Sequence, residues 1–327
     1  MAQGTNRPPP LDLGTLPGGF ISQAFAINTV GDIVGYSLTA DGNVDPSSFH
    51  AFISRSPGVM TDLGTLGGKW SVATGINANS DVVGYSLTAT SSDAHAFIWS
   101  KGKMADLGTL GGVGSVALGI NKSGQVVGSS STTNGVQHAF IWEKGTMRDL
   151  TPGATEGEAV AINSAGQIVG DYMTADGSFH AFLMPNANGG VIRDLGTLGG
   201  RSSGATAINE AGQVVGGSTV PGDQQYHAFL WENGALTDLG TLVGNGSYAT
   251  GINEAGHVVG WATGEGDTFQ HPFLWRDGLM KDIGSLMPAG SFGAGGVAFA
   301  INRRDDIVGA SPSTGADHNS HATLWPR

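Results

Sequence analysis

One phrase, Asp-Leu-Gly-Thr-Leu-Gly-Gly, returns seven times, intact or degraded, at intervals of about 44 residues. Its leading aspartate stands at Asp12, Asp62, Asp106, Asp149, Asp194, Asp238 and Asp282. A period this regular means that one supersecondary unit is stacked on copies of itself, because a single unit cannot bury its apolar face alone. The length of 327 residues would allow two domains, but the unbroken repeat argues for one closed unit.

The copy from Val72 to Gly108 resolves into four short strands. Val72 to Ile76 is followed by the turn Asn77-Ala78-Asn79-Ser80, whose counterparts read Asn-Lys-Ser-Gly at 121–124 and Asn-Glu-Ala-Gly at 209–212. Val82 to Ser86, His95 to Trp99 and Met104 to Gly108 supply the rest. In the third strand, alternation sends His95, Phe97 and Trp99 to one face and Ala96 and Ile98 to the other, so both faces are largely apolar. A four-stranded antiparallel sheet buried on both sides must lie between neighbours, which is the pattern of a β-propeller blade. No copy carries a sustained 3.6-residue apolar period, which excludes helical solenoids.

The chain ends at Leu324-Trp325-Pro326-Arg327, after a third strand, and opens with Leu11-Asp12-Leu13-Gly14, an isolated fourth strand. The expectation is an all-β, seven-bladed propeller over 11–327, its N-terminal strand completing the last blade, preceded by a disordered segment at 1–10. Closing the ring removes the open edges that an unclosed solenoid, the competing architecture, would expose.

The phrase His-Ala-Phe at 50–52, 95–97, 138–140, 180–182 and 227–229, each upstream of the aspartate phrase, resembles the HAF repeat family of bacterial proteins. The resemblance covers 11–327 and departs at His271-Pro272-Phe273, at His321-Ala322-Thr323 and at Asp149-Leu150-Thr151-Pro152. It implies an extracellular or periplasmic repeat protein and carries no reaction or catalytic residues. The first ten residues contain no apolar h-region, so this sequence includes no signal peptide.

Composition narrows the partners. Fifteen basic residues, none in a run longer than two, are spread along a chain of net charge −12, leaving no stripe to neutralise phosphates, so nucleic acid is a poor partner. No stretch of 18 apolar residues occurs, which gives no membrane-spanning helix. The absence of cysteine removes disulfides, thiolate zinc sites and cysteine nucleophiles. A monomer is expected.

Residues present in every copy read as scaffold. A ring of metal-binding histidines is geometrically excluded, since equivalent third-strand atoms lie on the order of 10–15 Å apart around a propeller and zinc needs nitrogens at roughly 2.0–2.1 Å. Instead Asp106, Thr109, His95 and Trp99 of the second blade, and their counterparts, are expected to hydrogen-bond within each blade, and the repeated asparagines to hold turns.

A specific site should therefore lie where copies differ. The loops joining second to third strands and the links joining successive blades emerge on one face. There the ligand-binding candidates are Lys69, Trp70, Asp176, Arg201, Asp223 and Tyr226, carboxylates beside aromatics that suit a carbohydrate or another polar ligand. Glu156 and Glu158 break the repeat after Asp149 and are the catalytic candidates, as general acid and base for glycoside hydrolysis. Asp41, Asn43 and Asp45 alternate like the first half of a calcium loop, but Pro46 and Phe52 stand where an EF-hand requires Gly and Glu. The readings are a ligand-binding module without cofactor save possible calcium, a propeller glycoside hydrolase or polysaccharide lyase, and a scaffold for protein partners.

Overall fold

A computed structural model describes residues 7–39, 48–264, 269–288, 295–315 and 319–327. Among them twenty-eight strands form seven four-stranded antiparallel sheets, arranged as the blades of a propeller. The blades span 22–62, 67–106, 111–149, 157–194, 203–238, 247–282 and 297–325. The last is completed by the N-terminal strand Leu11–Asp12, which pairs Leu11 with Leu324 and Asp12 with Thr323. Ring closure thus follows the chain ends as expected. Ahead of that strand, the Arg7 guanidinium donates to the Asp305 and Trp325 carbonyls. This draws the start of the described chain against the last blade.

The core lies between blades. Val34, Ala51 and Ile53 of blade one pack on Ala73, Val82 and Phe97 of blade two, and the same alternation recurs around the ring. Phe52, Phe97, Phe140, Phe182, Phe229 and Phe273, each two residues after the repeated histidine of its third strand, are wholly buried. Each first strand carries a bulge where it meets the second, as between Ala73 and Gly75. The bulge drives a carbonyl across the ladder: a Cβ on Gly84 would lie 1.9 Å from the Val72 oxygen, so the glycine of every Val-Gly pair is required by backbone contact.

Three polar devices repeat with the blades. In the first, a serine at the head of the first strand clasps the preceding blade in five of the seven blades. Ser71 accepts from the Ala51 N–H at 2.9 Å and donates to the Gly64 carbonyl at 2.6 Å, and Ser22, Ser115, Ser203 and Ser247 do the same. The departures from the repeat follow from this clasp. Blade four has Gly157 at the serine position, and the Thr151 hydroxyl takes over, accepting from the Ala139 N–H at 3.1 Å. Blade seven has Gly296 there, and the preceding blade has Pro272 in place of alanine. Pro272 has no N–H to offer, so the missing hydroxyl leaves no donor unsatisfied.

The second device is the histidine–aspartate pair. Nδ1 of the His-Ala-Phe histidine meets the aspartate carboxylate in all seven blades, at 2.7 to 3.1 Å. The other aspartate oxygen accepts the N–H two residues on, as Asp106 does from Gly108 at 2.7 Å. The expected four-residue network is smaller than the sequence suggested. Thr109 donates to the Gly112 carbonyl instead of joining His95, and Trp99 packs its ring against the core between blades one and two. The threonine follows a positive-φ glycine that turns the chain away from the pair.

The third device closes the ring at the axis. Each turn asparagine accepts main-chain N–H groups of its own turn, as Asn77 does from Asn79 and Asp81. Its side-chain amide donates to the carbonyl of the corresponding asparagine in the next blade. The chain of bonds runs Asn28, Asn77, Asn121, Asn163, Asn209, Asn253, Asn302 and back to Asn28, at 3.1 to 3.5 Å. These side chains are only 3–5% exposed. They are turn residues, as expected, and also a sevenfold hoop.

Candidate functional site

The asymmetry sought in the loops is concentrated in the two inner strands. Strand register places one residue of each first strand opposite one of the second, just below the face carrying the second-to-third-strand loops. Around the axis the pairs are Gln23 with Tyr36, Val72 with Tyr85, Val116 with Ser129, Glu158 with Asp171, Gly204 with Gly217, Tyr248 with Trp261, and Val297 with Ala310. Flanking positions hold the repeated Ser, Ala and Gly, whereas this belt changes in every blade.

The acidic sector is blade four. Glu158 and Asp171 are cross-strand partners on Gly157–Ile162 and Ile168–Met173, which brings their Cβ atoms to about 5 Å on one face. The Ser129 hydroxyl of blade three donates to Glu158 Oε1 at 2.9 Å and fixes that carboxylate. Burial pushes the Glu158 carboxyl up, and the nearby Glu156 charge adds to it. Asp171 is pushed up to about 7, first by burial, then by the Glu158 and Glu156 charges. Its carboxyl has no hydrogen-bond partner among the described residues.

Blade five leaves room beside this pair. At Gly204 a Cβ would lie 3.3 Å from Asp171 Oδ2 and 3.6 Å from the Tyr248 hydroxyl, so two unpartnered polar groups face one glycine from opposite sides. The Tyr248 ring lies over Gly217, where any Cβ would meet it at 2.2 Å, and stacks on Trp261 with ring centres 6.0 Å apart. Burial, then the Asp171 charge, pushes the Tyr248 phenol up to about 12, so it remains a donor at neutral pH.

On the other flank the rings of Phe299, Phe25, Tyr36, Phe49, Trp70 and Tyr85 touch in sequence from blade seven to blade two, at 5.0 to 5.8 Å. At Val297 and Ala310 this wall opens into an apolar cavity of about 470 Å³ whose lining also includes Gln23, Met287 and Phe299. The face therefore presents π surfaces on two sides, carboxyls on a third and no Lys or Arg within the belt.

The sequence-selected residues divide. Glu158 belongs to the belt, and Glu156 stands on the link above it, close enough for its charge to act on Glu158 and Asp171. Trp70 joins the aromatic wall, and Tyr226, 43% exposed, packs on Tyr248 at 6.1 Å. Asp176 lies outside, closing its own turn: the Thr174 hydroxyl and the Ser178 N–H donate to it and hold its carboxyl down at about 2. Asp223 accepts the Arg201 main-chain N–H at 2.6 Å, and the Arg201 carbonyl faces His180 Nε2, so the Asp223 carboxylate and the Arg201 backbone hold these loops together. Lys69 is exposed near the start of the first strand of blade two, Gly67–Ile76, and its carbonyl accepts the Ser48 hydroxyl. Asp41, Asn43 and Asp45 lie outside the described residues. Among the described residues no group of three His, Asp or Glu could hold a metal. Asp171, Tyr248 and the glycine pair were missed because variation was sought only in loops. The signal was present in the residue after Val-Gly, which reads Tyr, Tyr, Ser, Asp, Gly, Trp and Ala in blade order.

No family profile matches the chain, and no curated protein does. Solved structures do. TolB from Acinetobacter baumannii aligns with a TM-score of 0.53 and 12% identity over 93% of this chain and 65% of its own. A puromycin-hydrolyzing peptidase from Mycobacterium tuberculosis aligns with a TM-score of 0.63 and 12% identity over 94% of this chain and 51% of its own. The chain thus spans about two thirds and one half of the length of these proteins. At such identity the likeness is one of fold: the protein is a seven-bladed β-propeller of their kind. The HAF resemblance rests on the repeated phrases alone.

Proposed function

We propose that this propeller is a ligand-binding module that holds a carbohydrate, or a polar ligand of similar make-up, in the belt around its axis. The observation carrying this reading is Asp171: a half-buried carboxyl beside Glu158, without a hydrogen-bond partner among the described residues, in a fold that satisfies its repeated polar groups systematically. A sugar offers hydroxyl donors to the carboxyls and C–H faces to Tyr248, Trp261 and the aromatic wall. Lys69, Arg201, Asp176 and Asp223 would act at most as rim contacts.

A glycan-array screen of the full chain, run beside a turnover assay on each hit, tests this reading. Asp171→Asn and Tyr248→Phe are expected to weaken binding about tenfold each, as loss of one good hydrogen bond would. Parental affinity in both variants would overturn the assignment of the belt.

A second reading is favoured by the carboxyl pair itself. Glu158 held by Ser129 and an Asp171 that ionises near neutrality are suited to nucleophile and general acid in glycoside cleavage. Product formation lost in both Glu158→Gln and Asp171→Asn would establish it. Binding without product would leave the module.

A further inference from the structure

The opposite mouth of the central channel holds a separate cavity of about 440 Å³. Its wall is a collar of isoleucines, one from each inner strand, among them Ile27, Ile76 and Ile120. Its rim is formed by the residue following each asparagine of the hoop.

Two blades show what the rim N–H groups accept as a partner. In blade four the Ser164 N–H and hydroxyl donate to the Glu210 carboxylate of the next blade, at 3.1 and 2.7 Å. In blade five the Glu210 N–H donates to the Glu254 carboxylate of blade six at 3.1 Å. The same N–H in blades one, two and three belongs to Thr29, Ala78 and Lys122. There the following blade supplies Ala78, Lys122 and Ser164, none a carboxylate, and these three N–H groups have no partner among the described residues. The Lys122 ammonium has none either, and Arg303, on the other side of Thr29, reaches only Glu254 at 3.9 Å. The repeat thus contains one carboxylate seat that the chain itself fills in blades four and five and leaves empty in the other five, among them the arc of blades one to three. The empty arc is flanked by the rim's two cations.

We propose that this mouth binds a small organic carboxylate with a short apolar body. The carboxylate takes a seat on the Thr29, Ala78 or Lys122 N–H between Arg303 and Lys122, and the body lies on the isoleucine collar. Glu210 and Glu254, the rim's acids, are engaged on the far arc and leave the seat to an outside anion. The site is independent of the belt on the other face.

Calorimetry on the full chain at low salt, with hexanoate as probe, tests the proposal. Hexanoate should bind, with hexanamide and hexylamine at least about tenfold weaker, since the seat selects charge-assisted acceptors. Ala78→Glu would place a carboxylate over the Thr29 N–H as Glu210 stands over Ser164. It should weaken hexanoate several-fold with melting unchanged or raised, and Lys122→Ala should weaken it comparably. No binding of hexanoate, equal affinity for hexanamide, or parental affinity in both variants would overturn the site. Tighter binding of a tripeptide with a free C-terminus than of hexanoate would overturn the small-molecule assignment.

Discussion

The asparagine hoop and the variable belt are both polar, both close to the propeller axis and both built from the same two strands, yet they are opposites in hydrogen bonding. In the hoop every amide finds a carbonyl in the next blade, seven times. In the belt Asp171 and the Tyr248 hydroxyl find none among the described residues, and Gly204 and Gly217 leave space between them. Polar groups that repeat are answered by their own copies. Those that do not repeat have no copy to answer them: Glu158 finds Ser129, whereas Asp171 and the Tyr248 hydroxyl find no partner among the described residues.

The largest expected effect lies in the hoop. Asn121→Ala removes acceptance from Ser123 and Gln125 and donation to Gln125 and the Asn163 carbonyl, all at a buried position. It should lower unfolding free energy by about 3 kcal/mol in urea titrations. A loss below about 1 kcal/mol would mean that the hoop is ornamental and the contrast fails.

In the belt the sign reverses. Asp171 has its folded pKa raised to about 7 from 3.8, so its protonated form is favoured by folding. Its contribution is fully present below pH 3.8 and is lost as pH rises through 7. Asp171→Asn should therefore match the parent near pH 4 and exceed it by roughly 2 kcal/mol at pH 8, after discounting for partial exposure. Equal stability across that range would show the carboxyl to be well solvated.

The seam before blade seven gives a smaller test. Pro272→Ala restores an N–H where Gly296 offers no hydroxyl, and should cost about 1 kcal/mol, an unusual penalty for removing a proline from a strand. Unchanged or increased stability would break the account of the paired departures. Smallest is His95→Ala. Because Asp106 is 40% exposed, water can replace the histidine, and a loss under about 1 kcal/mol is expected by calorimetric melting.

Much of this was legible in the chain. Blade number, strand order, the closing strand at Leu11–Asp12 and the scaffold role of the His–Asp pairs all follow from a period and from where it starts and stops. Glu158 was legible as a break in the repeat. Asp171 was not, because pairing it with Glu158 requires the register between first and second strands, and the bulge at Ala159 and Ala161 shifts that register locally.

The sequence by itself determined the unit and its number, since a 44-residue apolar period can be buried only by stacking copies. Tertiary structure alone decided which polar groups are spent and which are free. A hydrogen bond between asparagines of adjacent blades, or a carboxyl and a phenol that meet over the glycine of the blade between them, depends on distances between residues some 40 to 80 positions apart. Ring closure sets those distances, and no local pattern encodes them.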